Sequence, residues 1–246
     1  MGAGAKRGGR APAATRGHNA HRERQTNEGA ENYAKAIYHL QGRGAEPVHT
    51  TAVADRLGVT SASASAMLKR LSDEGLVDYE PYHGARLTAK GELVALETIR
   101  HHRLIELFLA EVLGMPWDRV HEEAEVLEHH ISEELEELIA AKLGQPDLDP
   151  HGDPIPDRDL AITSDDSVPL TELVPGERGI FTRVSDSDAE MLRYLAEREI
   201  QPGARLLVKE REPFGGAVVV GIARRTHRLG PQLAGSMRVR QEVGDE

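Results

Sequence analysis

Residues 102–129 constrain this chain most. They read His102-x3-Glu106, then His121-x3-Glu125-x2-Glu128-His129. Separations of three, four and seven put side chains on neighbouring turns of one helical face. Gly114-Met115-Pro116 falls between the two runs and ends a helix there. The pattern therefore demands two adjacent helices that present imidazoles and carboxylates, a ligand set for a divalent cation. A lone histidine on an amphipathic helix is usually structural. Three histidines and three glutamates in phase are harder to assign to packing, and an interhelical salt-bridge network is the alternative. His101 and His130 read as solvent-facing neighbours.

Charge supports a cation. The net charge is −11, but it is unevenly spread. Residues 1–25 carry six basic groups against Glu23, and residues 96–150 carry four basic against fourteen acidic groups. Carboxylates at that density repel one another, and a bound cation relieves them. The chain has no cysteine, which removes disulfides, thiolate zinc sites and iron–sulfur clusters. No run of 18 apolar residues exists, and residues 1–25 lack the apolar core of a secretory signal. A cytoplasmic protein without a membrane partner is expected.

The order of elements predicts a mainly α protein with a small β domain. Residues 1–25 read as a disordered basic tail. Glu31–Gln41 has helical periodicity and stops at Gly42 and Gly44. Residues 50–57 form a short helix, Gly58 a turn, and Ser61–Glu74 a second helix. A strand Val77–Tyr82, a turn at His83-Gly84 and a strand Ala85–Thr88 complete a winged helix–turn–helix over residues 26–92. Residues 93–150 hold a helical domain, with one helix over 89–113 and another over 117–143 that bends or breaks near Ser132. Gly144–Ser167 is rich in Pro and Asp and lacks periodicity, so a linker is expected, with 151–167 separating the domains. Residues 168–246 alternate short apolar runs with Gly/Pro turns, the pattern of a small β-barrel, with a helix at 188–199.

The second helix of the pair has the composition of a DNA-reading element. Thr60-Ser61-Ala62-Ser63-Ala64-Ser65-Ala66 is rich in small residues, which let backbone approach a groove floor. Ser61, Ser63 and Ser65 offer hydroxyls to phosphate, and Ala62 and Ala66 suit a thymine methyl. Lys69, Arg70 and, in the wing, His83 and Arg86 are the expected phosphate contacts. Catalysis has no support: His121-Glu122-Glu123-Ala124-Glu125 lacks the second histidine of a zinc protease, and neither a phosphate-binding loop nor a nucleophile elbow occurs. Oxygen-rich sites with few imidazoles suit Mn(II) first and Fe(II) second, and do not select by affinity against Co(II), Ni(II) or Zn(II).

The strings ENYAKAIYHL, GLVDYEPYHGARLT, RHHRLIELFL, VHEEAEVLEHHIS and DPHGDPIP resemble the diphtheria toxin repressor family of metal-dependent transcriptional repressors. The resemblance runs from about Glu31 to the C-terminus and is nearest the manganese-responsive branch. It implies a winged-helix domain, a helical metal-binding and dimerisation domain, and an SH3-like (FeoA-type) barrel. It also implies a homodimer on a palindromic duplex operator ahead of metal-uptake genes, with no small organic substrate. Its primary metal site carries over as Asn32, Glu125, Glu128 and His129. The iron-responsive branch has Cys where Glu125 stands and Met where Asn32 stands; the manganese branch has Glu and Asp. Glu125 thus points to manganese, and Asn32 departs from both patterns. The ancillary site carries over as His102, Glu106 and His121, with Glu190 from the barrel. The barrel's other ligand position falls on Ser187, where Asp186 or Asp188 can substitute. An iron-dependent repressor of the same family, or a winged-helix regulator sensing an organic ligand, is the alternative reading.

Overall fold

The computed structural model describes residues 13–42, 44 and 46–242, with side chains from Asn27 onward. The chain divides into two compact units at Ala95/Leu96.

The first unit opens with α1 (Ala13–Gln41). Helix therefore begins at Ala13, inside the expected disordered tail. The run Arg22-Glu23-Arg24-Gln25 consists of good helix formers that continue the pattern of the following turns. Residues 1–12 of that tail lie outside the described residues. Helix α2 (Thr50–Leu57) ends on Gly58, whose φ of 64° is the left-handed cap that glycine adopts most readily. Helix α3 (Ser61–Asp73) starts at Thr60, whose side chain accepts a hydrogen bond from the Ser63 amide. Ala64, Leu68 and Leu71 share one buried face of α3 and pack with Ile37 of α1 and Val53 of α2. The wing is β1 (Val77–Glu80) paired antiparallel with β2 (Gly84–Leu87). Val48 bridges to Ala85 alongside it. Gly84 sits at φ 109°, and a Cβ there would lie 2.5 Å from the Val48 carbonyl oxygen, so only glycine fits.

The second unit contains most of α4 (Ala89–Glu111), then α5 (Val120–Leu127) and α6 (Glu133–Lys142). The expected break near Ser132 is real: its side chain caps α6 by accepting from the Leu135 amide. Residues 149–156, within the stretch read as a linker, pack closely against the rest of the unit. Asp149, His151 and Ile155 are buried, and the Val184 amide donates to the His151 carbonyl. Gly152, at φ 87°, permits this: a Cβ would stand 1.9 Å from the Thr182 carbonyl oxygen. A tight turn is thus pressed against a strand at that point.

The barrel contains β3 (Val168–Pro169), β4 (Arg178–Val184), α7 (Ala189–Ala196), β5 (Arg205–Arg211), β6 (Val218–Ile222), β7 (Arg225–Leu229), α8 (Pro231–Ser236) and β8 (Met237–Gln241). Its strands form one antiparallel sheet in the order β3-β8-β4-β5-β6-β7. Phe181, Leu192, Leu195, Val208 and Val220 fill its core.

Candidate metal centre and DNA-contacting surface

Glu106 is the middle of the site. It lies on α4, is fully buried, and its two carboxylate oxygens face different partners. Oε1 is 3.0 Å from His102 Nε2 and 3.3 Å from His121 Nδ1. Oε2 is 3.7 Å from His151 Nδ1 and makes no hydrogen bond. On the first side, His121 Nδ1 is also 3.3 Å from Asp186 Oδ2. Ligand atoms of His102, Glu106, His121 and Asp186 all fall within 4.8 Å of one another. On the second side, Glu106, Asp149 and His151 form another such group, all three buried.

The second group is chemically unusual. Glu106 Oε2, Asp149 Oδ2 and His151 Nδ1 are buried atoms without a hydrogen-bond partner. Their other atoms are fixed. Asp149 Oδ1 accepts from the amides of His151 and Asp153, and His151 Nε2 is 2.9 Å from the Trp117 carbonyl oxygen. Unsatisfied polar atoms in an interior are destabilising, and here each of the three residues has one. Arg103 Nε lies 3.7 Å from Asp149 Oδ2 and balances part of this charge, and two carboxylates with an imidazole whose ligand atoms lie within 4.8 Å are a donor set that fits a divalent cation.

Protonation states agree. Burial alone would raise the Glu106 carboxyl, but the imidazoles of His102, His121 and His151 hold it well below the carboxylate range. Burial opposes charge on His121, yet its bonds to Asp186 and Glu106 push it up to about 10. His151 behaves likewise and is raised to about 9, mainly by Glu106. Asp186 falls to about 2, because its bond to His121 outweighs burial. Asp149 is pushed well above its ordinary value by burial, Asp153 and Glu106. Protons on the two imidazoles thus stand in for positive charge that the carboxylates require.

A further cluster adjoins this one. His102 Nδ1 donates to Glu128 Oε2 at 2.5 Å and is 3.8 Å from Glu125 Oε1. His129 Nε2 lies 3.5 Å from Glu128 Oε1. The structure therefore draws Glu125, Glu128 and His129 together at the end of α5, with His102 bridging to the Glu106 group. Asn32 belongs to α1, in the other unit. His101 is buried, not solvent-facing: its ring nitrogens meet the Glu128 carbonyl oxygen at 3.2 Å and Glu136 at 2.9 Å.

Among the barrel residues, the structure groups Asp186 with the histidines. Asp188 is occupied as the α7 N-cap, accepting from the amides of Glu190 and Met191. Glu190 is exposed in the first turn of α7 and falls outside the 4.8 Å groups. Sequence reasoning missed Asp149 and His151. The available signal was Asp-x-His within DPHGDPIP, followed by a glycine that turns the chain.

The candidate DNA-contacting residues belong to the first unit. Ser61, Ala62, Ser63 and Lys69 are exposed on α3, Ser65 half-buried, and Arg86 exposed on the wing. Thr60 is used in capping, and its hydroxyl is 2.9 Å from that of Ser63. Arg70 Nε pairs with Glu74 at 3.1 Å. His49, Thr51, Ser61, Ser65, Lys69 and Tyr82 line part of an open groove of about 620 Å³ between α3 and the wing. Tyr82, at the wing tip, is 99% exposed and has φ 70°.

A winged helix, a buried cluster of imidazoles and carboxylates, and an SH3-like barrel together are the parts of a metal-responsive DNA-binding regulator. Three family descriptions match: the iron-dependent repressor N-terminal DNA-binding domain over residues 25–85, the iron-dependent repressor metal-binding and dimerisation domain over 88–157, and the FeoA domain over 168–241. The iron-dependent repressor IdeR of Mycobacterium leprae (strain TN) is 32% identical over 222 residues, 85% of this chain and 95% of that protein. The diphtheria toxin repressor of Corynebacterium diphtheriae is 27% identical over 192 residues, 74% of this chain and 84% of that protein. A solved structure described as a manganese-dependent transcriptional repressor in complex with manganese has 40% identity and a TM-score of 0.81, covering 87% of this chain and 100% of that one. The chain belongs to the diphtheria toxin repressor family of metal-dependent transcriptional repressors. Members of this family are DNA-binding repressors and not enzymes. Among the described residues, no helix is long and apolar enough to cross a membrane.

Proposed function

We propose that this repressor responds to manganese through the Glu106-centred cluster. The observation that carries this reading is a group of buried ligand atoms from Glu106, Asp149 and His151 within 4.8 Å of one another, each residue having one buried atom that makes no hydrogen bond. His102, His121 and Asp186 supply further donors around the same carboxylate. The set is imidazole and carboxylate only, in a chain without cysteine, and such hard donors suit Mn(II) better than thiophilic metals. The manganese complex of a 40%-identical relative supports the same metal. The bound cation supplies positive charge in place of protons on His121 and His151.

A second cation is assigned to Glu125, Glu128 and His129, with Asn32 as the fourth ligand implied by the family pattern. Asn32 brings an amide oxygen without charge, so this position binds more weakly. Glu190 of the barrel is retained as a candidate outer ligand beside Asp186. The metal-bound form binds a palindromic operator as a homodimer and represses metal-uptake genes. Thr60, Ser61, Ala62, Ser63, Ser65, Lys69, Arg70 and Arg86 form the contacting set. Metal that binds the DNA-competent state better shifts the population towards it, with coupling of about 1–3 kcal/mol.

The test is operator affinity by fluorescence anisotropy at fixed salt, titrating Mn(II), Fe(II), Co(II) and Zn(II) separately against an EDTA control. Tightening that is strongest for Mn(II) supports the reading. Stronger tightening by Fe(II) reassigns the metal, and equal binding with and without metal removes the proposed switch.

A further inference from the structure

The β6–β7 hairpin of the barrel is cationic in an acidic chain. Residues 203–240 carry eight basic and two acidic side chains, whereas the whole chain has a net charge of −11. Three of those eight, Arg224, Arg225 and Arg228, lie on this hairpin. Strand β7 ends the sheet, paired only with β6. Arg224 makes no ion pair among the described residues. Arg225 reaches Glu199 at 3.2 Å with both side chains exposed, where such pairs are weak, and the exposed Arg228 reaches the half-buried Glu212. Nearby, partial burial and the guanidiniums of Arg198 and Arg225 lower the pKa of His227, a sign of positive potential on that side.

The turn adds a second observation. Ile222 pairs with Arg225, so the loop is Ala223-Arg224 alone. Both residues have positive φ, 45° and 68°. A two-residue hairpin loop of this kind favours Asn-Gly, and an arginine in the left-handed region is strained. Strain held at an exposed position is a pointer to function. Arginines on an edge strand also block sheet-to-sheet pairing, but that purpose does not require one at the strained tip.

We propose that the β6–β7 hairpin is a second DNA-contacting element, which binds the phosphate backbone of duplex DNA through Arg224, Arg225 and Arg228 without reading sequence. DNA is the occupant because the chain is a DNA-binding repressor and the hairpin complements a polyanion. The acidic stretch at residues 96–150 repels that same polyanion, and a cationic element offsets it.

The test uses the full chain with saturating Mn(II) and a random-sequence duplex, measured by anisotropy across a salt series. The triple variant Arg224→Gln/Arg225→Gln/Arg228→Gln is expected to lower the slope of log affinity against log salt by about 0.9 for each phosphate that is no longer neutralised. Wild-type and triple variant should require the same Mn(II) concentration for half-maximal intrinsic tryptophan response, since the metal residues are untouched. Arg224→Gly separates the two roles of the turn: it is expected to raise Tm while weakening DNA binding severalfold. An unchanged salt slope and affinity in the triple variant would overturn the proposal, as would a rise in Tm for Arg224→Gly with wild-type DNA affinity.

Discussion

His102 Nδ1 stands 2.5 Å from Glu128 Oε2, while its other ring nitrogen faces Glu106 and His121. One imidazole therefore touches both carboxylate clusters. A carboxylate behind a ligating histidine fixes the ring orientation and raises its basicity, and such outer partners alter metal affinity about 10–100-fold when removed. Glu128→Gln is therefore expected to weaken Mn(II) binding at the Glu106 cluster by about that factor, although Glu128 belongs to the neighbouring cluster. Electron paramagnetic resonance of free Mn(II) during titration measures it. Unchanged affinity at the Glu106 cluster would show that the two clusters act independently.

Asp149→Asn separates metal binding from folding. The amide keeps an oxygen for the His151 and Asp153 backbone donors, so the turn survives. It also removes a buried carboxyl whose ionisation is opposed by burial, Asp153 and Glu106 and favoured by Arg103, which keeps Asp153 as a partner. Without metal, Tm should therefore be equal to or above wild type. With Mn(II) at a hundredfold excess over its Kd, wild type gains about 2.7 kcal/mol and the variant should gain much less. Thermal melts with and without Mn(II) decide it, and a wild-type Mn(II) increment in the variant would remove Asp149 from the site.

Proton release follows from the same geometry. His121 titrates at about 10 and His151 at about 9, so both carry protons at neutral pH. Ligation needs neutral imidazole, so Mn(II) must displace about two protons, and affinity must rise with pH towards 9. The metal-free protein has the opposite trend. Both pKa values are raised above the unfolded value, so this stabilisation is complete below about 6.5 and is lost as pH climbs through 9 and then 10. Calorimetry in buffers of different ionisation enthalpy counts the protons. A count near zero would mean that these histidines do not ligate.

The sequence made some of this legible and hid the rest for physical reasons. Helix periodicity and turn chemistry placed α2 at Thr50–Leu57 and the break at Ser132, because both depend on neighbours in sequence. The phase of His102, Glu106, His121, Glu125 and Glu128 was visible for the same reason. Asp149 and His151 were not, since they lie among prolines and aspartates that look solvated. Their burial arises from backbone bonds to β4, which no local pattern reports. Asp186 and Asp188 were indistinguishable by composition, and the structure separates them because capping α7 occupies Asp188. The length of α1 was underestimated because a Gly/Ala/Arg-rich stretch reads as disorder until a helix is seen continuing through it.

Gly84→Ala should disable DNA binding and leave the metal centre intact. Gly84 begins β2 at φ 109°, and a Cβ would press within 2.5 Å of the Val48 carbonyl oxygen. Backbone on either side is held by reciprocal hydrogen bonds between Val48 and Ala85, so neither strand can yield without losing them. The strain is of the order of 1–3 kcal/mol for the dihedral alone, and the steric overlap adds to it. The wing therefore shifts or frays, and with it Arg86 and the Tyr82 side of the groove beside α3. Glu106, Asp149 and His151 lie in the other unit and do not depend on this turn. The expected result is a loss of operator affinity of tenfold or more, with Mn(II) affinity within a factor of about two of wild type. Anisotropy and Mn(II) titration on one preparation test both halves, and normal operator binding would show that the wing geometry does not govern DNA recognition.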